Sequence, residues 1–239
     1  ELVSDMLGDD QLGHDGVAIG EAIFVLDEDD RPAGEPRIHR IVNGAGTFGI
    51  TAWDAGSSYV EEDMDAMGFD GTDFVVATDI GSSSDPTVFY AVDPTAPSSA
   101  RLLGSNTALE DVLDIAADAT WVYVVGNTGT TSSEGVYRLR RSDLGDPGAT
   151  PQLVHAADFD FTRAHLFLHD AGARQYVYFR TDDAALHVAE VTGDTPRYLG
   201  VLSTLGDSGD DAFAFDPSGP SLYVFESESV STGAFYRLD

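Results

Sequence analysis

Cysteine and lysine are both absent from the 239 residues. Without cysteine, disulfides, thiolate zinc centres and a cysteine nucleophile are excluded. Without lysine, the twelve basic residues are all arginine, set against forty-two acidic ones for a net charge of −30. No basic stripe remains that would release counterions from a nucleic-acid backbone or hold an anionic membrane surface, so both are disfavoured as partners. Also missing is any apolar run near the ~18 residues of a membrane span, or the pattern of a secretory leader. The first residue is Glu1 rather than methionine. That is read as the mark of a processed or trimmed chain, with an extracellular or cell-surface location expected and the periplasm as the alternative.

What is present in excess is acid. Asp-rich, lysine-free surfaces stay hydrated in high salt, where the Debye length falls to about 3 Å at 1 M and self-repulsion is muted. A GC-rich genome also replaces lysine with arginine, and a halophilic or marine source fits both causes. Dilute buffer should leave so charged a chain monomeric. At 42% hydrophobic and 10% aromatic, the sequence still holds enough apolar material for a core.

The apolar residues repeat. Asp211–Ser227, DAFAFDPSGPSLYVFES, alternates, turns and alternates again, the pattern of a β-hairpin with one buried face. Related stretches open at Asp15, Asp65, Asp111 and His165. Aligning the second strand of each puts Ile23, Phe74, Val122, Tyr176 and Leu222 in one column, at spacings of 51, 48, 54 and 46 residues. Third strands are expected at Arg37–Val42, Val88–Val92, Val136–Arg140, Leu186–Val191 and Phe235–Leu238. Fourth strands are expected at Thr47–Trp53, Arg101–Leu103, Pro151–His155 and Pro196–Leu202. The ambiguous segment Thr107–Ala117 is read as strand.

Four antiparallel strands per repeat of this length is the organisation of a β-propeller blade. The expected fold is therefore all-β, a single five-bladed propeller with blades near 8–53, 60–105, 108–156, 160–203 and 206–239. The N-terminal strand Glu1–Leu7 would complete the last blade and close the ring, removing two exposed sheet edges. Segments such as FDPSGPSLYVFES and AADATWVYVVGN resemble the repeats of TolB-like and related bacterial propellers, in which an Asp-Pro-x-Gly turn joins the first two strands. The resemblance covers nearly the whole chain and implies a fold, not a chemistry.

In a propeller the innermost strand lines the central channel, so its opening residues converge on one mouth. Asp15, Asp65, Asp111 and Asp211 are thus candidate ligands for a cation. An oxygen-rich set of this kind suits Ca²⁺ or Mg²⁺. The competing reading makes each Asp a turn cap bonded to backbone N–H groups. His165 breaks the symmetry of the column and is a candidate for ligand recognition. The polar loops between second and third strands, above all DEDDRPAGEP with Asp27, Asp29 and Asp30, are candidates for partner binding, although they lack EF-hand spacing. Trp53, at a strand end, is a candidate platform for a sugar ring. His165 and His169 lie about 13 Å apart along a strand, too far to share one zinc ion.

No catalytic set is assigned. GDSGD at Gly206–Asp210 departs from the serine-protease motif at its last glycine, and neither a Walker loop nor HExxH occurs. The expected function is a non-enzymatic binding or scaffolding propeller that recognises a protein or carbohydrate through its loops. The alternatives are a carbohydrate-active hydrolase or lyase with carboxylates at the channel mouth, and a Ca²⁺-stabilised sugar-binding propeller.

Overall fold

The computed structural model describes residues 16–19, 22–26, 38–44, 47–53, 64–78, 86–128, 133–157, 165–180, 185–204, 212–215, 222–229 and 232–238. Among these residues the chain is β throughout, apart from one 3-10 turn at Arg141–Asp143. The first sheet runs β1 (Gly16–Ile19), β2 (Ala22–Leu26), β3 (Ile38–Gly44), β4 (Thr47–Trp53). The second runs β5 (Met64–Phe69), β6 (Phe74–Thr78), β7 (Thr87–Asp93), β8 (Ala96–Asn106). The third runs β9 (Leu109–Ala117), β10 (Trp121–Thr128), β11 (Ser133–Arg140), β12 (Gln152–Ala156). The fourth runs β13 (Leu166–Asp170), β14 (Gln175–Arg180), β15 (Ala185–Glu190), β16 (Arg197–Thr204), and the fifth β17 (Ala212–Phe215), β18 (Leu222–Ser229), β19 (Thr232–Leu238). Strands follow chain order within every sheet, as a meander requires.

Burial explains which strand sits where. Phe74–Thr78 is buried at every position and Val122–Val125 likewise, so β6 and β10 read as continuous apolar runs, covered on both faces. The outer strand β12 is more open, with Leu153 and Ala156 exposed and only Val154 buried. The first and second strands are joined by tight turns built on aspartate. Asp70 Oδ1 accepts from the N–H groups of Thr72 and Asp73, both at 2.8 Å. Asp118 Oδ1 does the same for Thr120 (2.6 Å) and Trp121 (2.8 Å), and Asp170 Oδ1 accepts from Gly172 N at 2.8 Å. These are Asx turns, in which a short carboxylate replaces a backbone acceptor. The Asp-Pro-x-Gly turn of the fifth repeat and the segment Glu1–Leu7 lie outside the described residues.

Several expected boundaries shift. The fourth strand expected at Arg101–Leu103 runs from Ala96 to Asn106, and Thr107–Ala117 opens with a two-residue turn before β9 begins. The pairs that close the first turn of each sheet are Ile19–Ala22, Phe69–Phe74, Ala117–Val122, Asp170–Gln175 and Phe215–Leu222. The column therefore holds at Phe74, Val122 and Leu222 and slips by one residue at Ile23 and Tyr176. Strand period alone cannot register turns of unequal length.

Internal packing divides the chain into two compact units, Glu1–Ser133 with Arg138–Gln152, and Glu134–Tyr137 with Leu153–Asp239. In the first unit Ala22, Phe24, Leu26 and Ile38 share a core with Met67, Phe74, Val76 and Val92. The Phe24 and Phe74 rings meet at 4.9 Å. In the second unit one face of the fourth sheet is closed over Leu166, Val177, Phe179, His187 and Ala189.

Candidate functional site

The first strands of the second and third sheets pack directly on each other. A Cβ at Gly68 of β5 would stand 3.0 Å from the carbonyl oxygen of Ile115 and 3.2 Å from the Ala116 Cα, both in β9. A side chain there would force the strands apart, so glycine permits the close approach. Both strands then break register near their beginnings. Met64 pairs with Thr78 and Ala66 with Ala77, which makes Asp65 the extra residue of a β-bulge. In β9, Glu110 pairs with Asn127 and Asp114 with Val125, leaving Asp111, Val112 and Leu113 opposite Gly126 alone. Bulges of this kind re-aim side chains and concentrate beside active sites. Two of the expected residues, Asp65 and Asp111, thus occupy irregular backbone positions on neighbouring strands, at the same end of the unit.

That end is firmly held. Asn106, fully buried, donates from Nδ2 to the Ala149 carbonyl at 2.8 Å and accepts at Oδ1 from Ala108 N at 2.9 Å. Thr107 donates to Pro147 O from both its backbone N (3.3 Å) and its hydroxyl (2.9 Å). The Thr87 hydroxyl donates to Leu109 O at 3.1 Å across from β7. Together they clamp the β8–β9 turn and the first residue of β9, two residues before Asp111. Rigid support of this sort is what a site on a strand end requires. Asp114, 4% exposed, adds a buried carboxylate three residues further on.

Along the chain, the described members of the column stand at different distances from their turns. Counted back from the turn-closing pairs, Asp65 stands four residues before Phe69, Asp111 six before Ala117, and His165 five before Asp170. By pairing rather than by count, Asp111 shares Gly126, four residues past the turn-closing Val122, and Asp65 lies between the partners of Ala77 and Thr78, three to four past Phe74. Asp15 and Asp211, four before Ile19 and Phe215 in sequence, lie outside the described residues, as do Asp27, Asp29 and Asp30. Trp53 ends β4 opposite Ile38. His165 belongs to the second unit, half-buried ahead of β13, where its carbonyl accepts from Arg180 N at 3.1 Å. Among the described residues no three His, Asp or Glu side chains are grouped as a metal site.

Two side-chain clusters escaped the sequence reading. In the first unit the buried Arg138 lies 4.0 Å from the Trp121 ring centre and donates from Nε to Gln152 Oε1 at 2.9 Å. Burial, then the charge of Asp118, pushes the Tyr123 phenol well above its ordinary range, and Arg138 pulls it partway back. In the second unit His155 stacks on Tyr198 at 4.0 Å, and His187 Nδ1 meets the Tyr198 hydroxyl at 2.8 Å. His155 and His187 are 5.7 Å apart, both against Phe179. Burial, and then His187, holds the His155 pKa below its ordinary value. The three polar residues sit on three different strands, so no sequence spacing links them.

No protein-family model matches the chain, and no curated protein does. Solved structures do. An endo-arabinase from Bacteroides thetaiotaomicron is similar at 12% identity and TM-score 0.53, over 91% of this chain and 88% of that one. A GH43 endo-arabinanase from Bacillus licheniformis is similar at 11% identity and TM-score 0.52, over 97% and 94%. A putative 6-phosphogluconolactonase from Bacteroides uniformis is similar at 16% identity and TM-score 0.52, over 91% and 66%. At such identities the likeness shows the fold, which is that of a β-propeller. It gives no particular support to the TolB-like branch.

Proposed function

We propose that the chain acts on carbohydrate, cleaving glycosidic bonds with carboxylates at the starts of its first strands. The observation that carries this reading is the placement of Asp65 and Asp111 at bulges on two strands packed in direct contact. The names of the similar propellers support the same class of substrate over a purely scaffolding role. Asp15, directly ahead of β1 in sequence, would supply a third carboxylate.

Glycoside hydrolysis needs one carboxyl group to protonate the leaving oxygen and one carboxylate to activate water or to attack. Clustered acids divide those roles by themselves, because like charges held close raise one another's pKa and keep one group protonated. Asp65 and Asp111 are the residues assigned to the pair. Asp114 is assigned a supporting role, as a further buried acid on the same strand. A Ca²⁺ ion at the same oxygen-rich end remains part of the proposal, as a counter-charge to the acids.

The test is product release from arabinan, xylan and their oligosaccharides, with and without EDTA, alongside calorimetric titration of the same ligands. Hydrolysis supports the proposal. Leu166, four residues before the first turn of the fourth sheet as Asp65 is in the second, favours a second reading in which the chain binds sugar without cleaving it. Binding without release would select that reading, and neither binding nor release would sink both.

A further inference from the structure

The cluster of His155, His187 and Tyr198 lies wholly within the second unit, on β12, β15 and β16. Its three ring centres form a triangle with sides of 4.0, 5.7 and 5.8 Å, so His155 and Tyr198 lie on the same side of His187. His187 Nδ1 points to that side too, because it meets the Tyr198 hydroxyl at 2.8 Å. With its proton on Nε2, His187 accepts from this hydroxyl through a lone pair that faces the other two rings. The His155 ring meets its neighbours through stacked and tilted ring contacts, and no hydrogen bond from the described residues reaches it. Burial, then His187, favours its neutral form, the form that ligates a metal.

Two neutral imidazoles and a phenol grouped in this way are a donor set for a transition-metal ion. Ligand atoms of a tetrahedral zinc ion, each about 2.0–2.1 Å from it, stand about 3.3 Å apart, so Nδ1 and the hydroxyl need open by only about half an ångström. Imidazoles that share such an ion have ring centres about 5–6 Å apart, which the 5.7 Å between His155 and His187 matches. Solvent reaches the cluster, since Tyr198 is 38% exposed and Val201, paired with His187, is 52% exposed.

We propose that His155, His187 and Tyr198 hold a zinc ion, at a site independent of the carbohydrate-cleaving reading. The two imidazoles and the phenol oxygen supply three ligands, and water takes the fourth position. The phenol proton leaves to solvent as the ion binds. The ion ties β12 to β15 and β16 and so stabilises the folded second unit.

The experiment titrates Zn²⁺ calorimetrically into the metal-stripped full chain, with millimolar Mg²⁺ present to occupy the surface acids. The wild type should bind one Zn²⁺ and melt at a higher temperature once it is bound. Titrations in buffers of different ionisation enthalpy should show about one proton released per ion. His155→Phe keeps a ring in the stack. It should weaken binding by about a hundredfold or more, beyond the roughly 10–100-fold typical of a partner that merely supports a ligand. Tyr198→Phe should weaken binding by about tenfold or more and abolish the proton release. Failure of the wild type to bind one Zn²⁺ would overturn the proposal. So would unchanged affinity in His155→Phe, which would put the ion on the surface acids, and so would proton release retained in Tyr198→Phe.

Discussion

Replacing Asn106 with alanine should cost far more than its place in a turn suggests. The side chain is fully buried and makes two hydrogen bonds, to Ala149 O at 2.8 Å and from Ala108 N at 2.9 Å. Each is worth about 1 kcal/mol net, and the backbone groups left behind lose their partners inside the fold, so the total is about 2–3 kcal/mol. For a chain of this size that corresponds to a fall in Tm of about 4–12 °C. Thr107→Ala is the control. Its hydroxyl is exposed, and its backbone N still reaches the same Pro147 carbonyl, so its cost should stay below about 1 kcal/mol. Because the turn delivers β9 to the site, Asn106→Ala should also lower hydrolytic rate at temperatures where the protein remains folded. Chemical denaturation of the two variants is the assay. Equal stability losses would refute the claim that this turn is clamped from within.

Three further predictions concern the same scaffold. Arg141→Met strands the fully buried Asp70 side chain, 2.6 Å from the guanidinium, and should cost about 2–3 kcal/mol. Arg101→Met, whose side chain is 61% exposed and 3.3 Å from Asp73, should cost under about 1 kcal/mol in the same denaturation assay. Gly104→Ala should be worse than Gly200→Ala. Both have left-handed φ (149° and 125°), worth about 1 kcal/mol of strain, but a Cβ at Gly104 would fall 2.6 Å from the Leu144 carbonyl carbon, adding about 2 kcal/mol or more, while nothing lies within 4 Å at Gly200. Finally, His155 has a folded pKa below its unfolded value, so below about pH 6.5 the unfolded chain binds more protons. The stability it contributes is fully present above that pH and is lost as pH falls through the window beneath it. Stability curves at pH 7.5 and 5.5 should converge in His155→Phe relative to the wild type.

Much of this architecture is legible in the amino-acid pattern, for identifiable reasons. The buried runs at Phe74–Thr78 and Val122–Val125 declare central strands, because only a strand covered on both faces is uniformly apolar. The repeat spacing declares a propeller. Registration is where the pattern fails. Asp65, Asp111 and His165 stand four, six and five residues from their turns, and only the extra residues of the β9 bulge set Asp111 opposite Gly126, near the level of Asp65. The first turns of the second, third and fourth sheets are capped by Asp70, Asp118 and Asp170, which the alternation hides among other acids. The His155–His187–Tyr198 cluster was out of reach altogether, since its members meet only after β12 folds against the fourth sheet.

The most direct test is the rate of sugar release by Asp65→Asn and by Asp111→Asn on whichever polysaccharide the wild type cleaves. If the two carboxylates form the acid–base pair, each substitution should reduce the rate by about a hundredfold or more while Tm stays near that of the wild type. Retention of the wild-type rate by either variant would contradict the account.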